Sequence, residues 1–196
     1  MKTPPALLPI LRSPLQGEML SRLLLHPDGE YTLSELAAAF GVSVTAVMRE
    51  ADRLVEAGIA QERRAGRTRL IRARPDTPVY RPLADLMAAT FGPLPVVAEE
   101  LAGLDGVNQA FIYGSWAARH EGSPGPPPAD VDVLIVGQPD RDDLFDRMER
   151  ASGRLARPVN AHRVSDAAWS GPADDPFIAA VKAGPIVRLP VGEKAR

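Results

Sequence analysis

The stretch from Thr32 to Gly58 limits the possible folds of this chain more than any other, because it encodes two helices joined by almost no connection. Thr32 and Glu35 have the spacing of a capping box, and Tyr31 and Leu36 stand where a hydrophobic staple packs. The helix they open runs Leu33 to Phe40 and stops at Gly41, a natural left-handed position past a helix end. Only Val42 then separates it from Ser43, which can cap a second helix that carries Val44, Val47, Ala51, Leu54 and Val55 inward and ends by Gly58. Upstream, Leu15 to Leu25 puts Met19, Leu20, Leu23 and Leu24 on one helical face before Pro27-Asp28-Gly29 breaks the chain. Downstream, Ile59–Arg63 and Thr68–Ala73 read as a hairpin turning through Arg64-Ala65-Gly66-Arg67.

Two helices across a tight glycine turn, the second longer, are helix-turn-helix geometry. The outward face of the second helix would offer Ser43, Thr45, Ala46, Arg49 and Arg53, short or cationic residues that suit a major groove. Arg63, Arg64, Arg67 and Arg69 on the hairpin would meet phosphates or a minor groove. The charge distribution agrees. Residues 1–90 carry twelve Lys/Arg against ten Asp/Glu, the remainder eleven against fifteen, and Arg63 to Arg74 contains no acidic residue. Each feature alone also fits a domain that never touches DNA, since such turns are common and arginines often only solvate a face. Their order is more specific. Over roughly residues 15–75 the chain resembles the winged helix-turn-helix regulators of the ArsR and MarR type, best in LSELAAAFGVSVTAVMREADRLVEAGIAQERRAGRTRL. The resemblance implies binding to double-stranded DNA. With no cysteine in the chain, it does not imply thiolate metal sensing. After Pro78, Tyr80, Leu83, Leu86, Met87 and Phe91 form a further apolar stripe, which either pairs two copies into a homodimer or packs on its own chain.

The second half carries a different pattern. Val107 to Tyr113 reads as a buried strand that runs into Gly114-Ser115 and a helix from Ser115 to Arg119, a junction whose backbone N–H groups can cradle phosphate. After the proline-rich Ser123–Pro128 loop, strand alternation puts Asp130 and Asp132 on one face at the start of an otherwise apolar strand ending at Gly137. Paired carboxylates repel unless a cation lies between them, and hard oxygens beside a phosphate cradle suit Mg²⁺ shared with a nucleoside triphosphate. Over residues 95–190 this arrangement resembles the nucleotidyltransferase superfamily that includes DNA polymerase β and the small MNT-type domains. The resemblance implies nucleotide binding at Gly114 and Ser115, with Asp130 and Asp132 as metal ligands and, in an active member, catalytic groups. The position matching the third carboxylate, on a strand over Pro158–Val164, is Asn160, which cannot act as a base. The segment from Ser115 to Asp130 is also longer than usual, and Trp116 and Ala129 stand where relatives often show arginine and serine. His162 shares a strand face with Asn160 and could point at the same site. Elsewhere, Leu144, Met148, Ala151 and Leu155 read as helical core, Asp175-Pro176 as a helix start, Ile186–Leu189 as a strand and Trp169 as an anchor.

The expected class is therefore α+β: a winged helix-turn-helix over residues 1–77, a linking or dimerising helix over 78–94, and an α/β nucleotidyltransferase-like domain with a mixed sheet over 95–196. At 196 residues the chain is long enough for two modest cores. No apolar run reaches the roughly 20 residues of a membrane span, and Met1-Lys2-Thr3-Pro4-Pro5 lacks the apolar stretch of an export signal. With no cysteines, and no metal-ligand spacing among His26, His120 and His162, the expectation is a cytoplasmic protein without a zinc site. Three functions fit: a DNA-binding regulator whose second domain binds Mg²⁺ and nucleotide without turnover; an active enzyme transferring a nucleotide to a protein, RNA or small molecule, as MNT-type antitoxins modify a partner toxin; and a protein-interaction module retaining neither activity.

Overall fold

The computed structural model describes residues 11–172 and 175–191; residues 1–5, read above for an export signal, lie outside them. Contacts divide the chain into two compact units, one ending at Gly92 and the other beginning at Pro93.

In the first unit, α1 (Pro14–Leu24) starts where the Ser13 hydroxyl accepts from the Gln16 N–H and a proline takes the first turn. A two-residue strand β1 (Tyr31–Thr32) leads into α2 (Leu33–Phe40). Thr32 and Glu35 complete the capping box in both directions, and Gly41 ends the helix in the left-handed region at φ 64. Helix α3 (Val44–Glu56) is capped by Ser43. The hairpin β2 (Ala60–Ala65) and β3 (Thr68–Ala73) turns through Gly66-Arg67, and β1 pairs on the far side of β3 to give the order β1-β3-β2. Three helices with a helix-turn-helix and an antiparallel hairpin are winged-helix topology.

One core holds this unit together. Met19, Leu23, Val47, Ala51, Ile71 and Met87 are each fully buried, and each large apolar side chain so buried contributes roughly 1.5–3 kcal/mol relative to exposure. Met87 belongs to α4 (Tyr80–Phe91), whose Tyr80, Leu83 and Phe91 pack against the same cluster. The Tyr80 hydroxyl donates to the Leu24 carbonyl at 2.9 Å. Most of the stripe read as a possible dimer face thus packs on its own chain, with Leu86 left exposed.

The second unit is a four-stranded mixed sheet in the order β6-β5-β4-β7, built from β4 (Val107–Tyr113), β5 (Val131–Gly137), β6 (Val159–Val164) and β7 (Ile186–Arg188). Strand β5 pairs antiparallel with β4 and parallel with β6. On one face, α5 (Pro93–Leu101) and α7 (Arg141–Leu155) pack Val97, Leu101, Leu144 and Met148 against Ile112, Val133 and Ile135. Between these helices lies a charge that the sequence did not reveal: Glu100, 2% exposed, accepts from Arg150 at 3.0 Å and Arg154 at 2.9 Å. A lone buried carboxylate would be destabilising, so the two arginines fasten α7 to α5. On the other face, α8 (Asp166–Ser170) and α9 (Pro176–Ala183) set Trp169, Phe177 and Val181 against Phe111, Leu134 and Val136. Trp169 is the anchor expected of it, 5.1 Å from the Phe111 ring and beneath the Lys182 ammonium. Helix α6 (Gly114–His120) follows β4 directly.

Candidate functional site

Ion pairing sorts the arginines of the first unit into two groups. Glu50, on α3, is buried, and it accepts from Arg53 at 2.9 Å, Arg12 at 3.3 Å and Gln16 at 3.0 Å. Arg63 grips Glu30 through both ends of its guanidinium. Arg69 joins Asp52 on α3, at 2.6 Å, to Glu62 on the neighbouring strand. Burial works against the Arg69 charge, but these two carboxylates overcome it and raise its pKa. Arg53, Arg63 and Arg69, all read from the sequence as DNA contacts, are each ion-paired within this unit. Arg49, Arg64, Arg67 and Arg72 are exposed and have no ion-pair partner among the described residues.

The face of α3 also differs from its expected phase. The buried positions are Val47, Glu50, Ala51 and Leu54. Val44, expected to point inward, is 45% exposed, and Met48, one turn later, is 41% exposed. Glu50 joins this buried stripe with its charge met by Arg12 and Arg53 and a further hydrogen bond from Gln16, while Val44 lies outside it. Ser43 accepts from the Ala46 N–H at 3.2 Å, so its oxygen caps the helix, and Ala46 is half-buried. Thr45 and Arg49 remain exposed as expected. Val44 was read as core because apolar residues at helical spacing usually are, and Met48 carried no sequence signal of either kind.

In the second unit, strand register builds a row across the sheet. Tyr113 pairs with Asp132 in the antiparallel ladder, and Asp132 pairs with Asn160 in the parallel one. Asp130 stands just before β5. The Asn160 amide donates to Asp130 at 3.1 Å and to Asp132 at 3.3 Å, so one nitrogen joins the carboxylate pair from about 30 positions away. Burial pushes the Asp132 carboxyl upward and the nearby Asp130 adds to this, while the Asn160 hydrogen bond and His162 pull it back. Burial also raises the Tyr113 hydroxyl, with Asp132 and Asp130 contributing.

Gly114 is required here on two counts. Its φ is +73, and a Cβ would lie 3.0 Å from an Asp132 carboxylate oxygen. The left-handed backbone favours glycine, and any side chain would press the Asp132 carboxylate aside. Ser115 follows, exposed, at the start of α6, where no side chain caps the helix. His162 sits one row further along, opposite Leu134, with its ring 4.4 Å from Phe177. Its imidazole packs there, and it reaches the carboxylates through charge alone.

For a divalent cation, the donor set is two converging hard carboxylates and one amide. No group of three His, Cys, Asp or Glu side chains forms a metal cage among the described residues. Turning the Asn160 amide end for end would present its oxygen to the same point. The residues thus fit an ion held by two carboxylates and shared with a ligand, but not one enclosed by protein alone.

No family model and no curated protein matches the chain. Two solved structures share part of its backbone course. One is the YusO protein from Bacillus subtilis, with a TM-score of 0.33 and 21% identity over 39% of this chain and 55% of that one. The other is the AntR antimony-specific transcriptional repressor, with a TM-score of 0.31 and 25% identity over 38% of this chain and 62% of that one. The chain therefore spans less than two thirds of either. No helix among the described residues is long and apolar enough to cross a membrane.

Proposed function

We propose that this chain is a DNA-binding transcriptional regulator whose second unit binds a magnesium–nucleotide complex without turning it over. The observation that carries the first part is the set of exposed arginines without an ion-pair partner among the described residues: Arg49 on α3, Arg64 and Arg67 at the hairpin tip, and Arg72 on the hairpin face opposite Arg64. Exposed cations concentrated on one helix and the hairpin after it are an electrostatic footprint for a polyanion. The N-terminal half of α3, from Val44 to Arg49, carries no acidic residue, whereas Asp52 and Glu56 lie in the C-terminal half. That gradient suits entry of the helix N-terminal end into a major groove, with the hairpin on the flanking phosphates.

Support for the second part comes from the meeting of Asp130, Asp132 and the Gly114 backbone. Asp130 and Asp132 would hold the ion, and Gly114 and Ser115 would face the phosphates. A bound magnesium would neutralise charge on a triphosphate. Asn160 brings no negative charge and cannot remove a proton from an acceptor, which favours binding over transfer.

Fluorescence anisotropy of a labelled random duplex at rising salt tests the first part. Affinity falling steeply with salt is expected; no binding at 50 mM salt would overturn it. Calorimetric titration of ATP, GTP, CTP and UTP with Mg²⁺ tests the second. Magnesium-dependent binding lost in D130N/D132N is expected, and absence of binding by all four would overturn it.

A further inference from the structure

We infer that α3 reads the C5-methyl groups of thymine in the major groove, with Val44 and Met48 as the contacting side chains; this rests on the DNA-binding reading above. Both are exposed on the same helix, one turn apart, at 45% and 41%. A scattered exposed hydrophobe needs no explanation. These two stand in the N-terminal half of α3, and each is followed in sequence by another exposed residue, Thr45 and Arg49.

Base-edge chemistry then selects the ligand. Every base pair presents hydrogen-bonding groups in the major groove, but only thymine adds an apolar methyl there. Neither valine nor methionine can donate or accept a useful hydrogen bond. A guanine or cytosine edge pressed against them would lose water without replacement, at a cost. A thymine methyl meets them with apolar surface, and the flexible Met48 thioether can adapt to its position. Four residues of helix rise about 6 Å, close to two base-pair steps of about 3.4 Å. The reading therefore predicts thymines one or two steps apart. Charge complements this patch: Arg49 follows Met48 on α3, and Arg64 and Arg67 at the hairpin tip supply the phosphate contacts.

The test begins with selection of the full chain on a random duplex pool, followed by affinity measurements on the enriched duplex. Each enriched thymine is replaced in turn by deoxyuridine, which removes only the methyl. Binding should weaken about fourfold per contacted methyl, the equivalent of one buried CH₂ group. V44A/M48A should abolish the thymine–uracil difference while preserving the salt dependence and the far-ultraviolet circular dichroism. If deoxyuridine binds as tightly as thymidine, or the double variant keeps the discrimination, the inference fails while the DNA-binding reading stands. If 5-methylcytosine paired with guanine substitutes fully for thymine, the methyl is read without its base pair and the assignment to thymine fails. If the double variant instead changes sedimentation from dimer to monomer with discrimination intact, the patch belongs to a second copy of the chain. No binding to any duplex would overturn both readings.

Discussion

Asn160 stands directly across the parallel ladder from Asp132 and donates its amide to that carboxylate at 3.3 Å. The same nitrogen reaches Asp130 at 3.1 Å. A neutral donor thus relieves the repulsion of two carboxylates in the place where the nucleotidyltransferase resemblance expects a third acid.

Replacing that donor by an acid should make the site depend on a cation. In N160D three carboxylates meet without a donor between them, so the variant should melt below wild type in a chelator. Magnesium should raise its melting temperature by several degrees, and more than it raises wild type, because an ion stabilises the state that binds it. Thermal denaturation with and without Mg²⁺ reads this directly. No response to magnesium in either protein would count against the pair as an ion site.

The raised Asp132 carboxyl makes a pH prediction. Ionising it is harder in the fold than in the unfolded chain, so its effect is absent at pH values below the ordinary carboxylate range. As pH rises through the raised folded value, wild type should lose stability relative to D132N. Urea denaturation of both proteins at steps between acid and neutral pH should show the two curves separating in that direction. Parallel curves would mean that Asp132 ionises as readily in the fold as outside it.

The hairpin arginines should separate by role. R64A/R67A should weaken binding to every duplex and reduce the magnitude of the salt slope by about 2, close to 0.9 for each lost phosphate contact. R63A and R69A should chiefly lower folding stability, since Glu30, Asp52 and Glu62 lose their partners. Anisotropy titrations at several salt concentrations, paired with urea melts, distinguish the two. Identical salt slopes for all three variants would contradict the division.

Glu50 links stability to DNA affinity. E50Q removes the charge held by Arg12 and Arg53 while keeping the side-chain shape. Weakening those buried hydrogen bonds should cost about 1–3 kcal/mol of stability. Both guanidiniums, more than half exposed, would then be available to phosphate, so DNA affinity at low salt should rise. A variant that loses stability without gaining affinity would place Arg12 and Arg53 away from the DNA.

Local features were legible because their physics is local. Thr32 and Glu35 satisfy backbone donors within one turn, and Gly41 ends α2 because it tolerates the left-handed conformation. Strand alternation likewise put Asp130 and Asp132 together, and the apolar periodicity of Leu144, Met148, Ala151 and Leu155 matches the buried side of α7.

What the sequence determined by itself was the helix-turn-helix with its hairpin and the presence of a carboxylate pair beside a glycine turn, since caps, turns and periodicity act over a few residues; β1, α5 and α8 had no such signal. Only the tertiary structure decided which charges are available. Glu30 meets Arg63 across 33 positions and Glu50 meets Arg12 across 38, while Asp52 meets Arg69 across 17. No local pattern encodes such pairings, because they depend on where folding brings the chain back. The fold buried Glu50 beside Val47, Ala51 and Leu54, left Val44 outside, and left Arg49, Arg64, Arg67 and Arg72 without an ion-pair partner among the described residues.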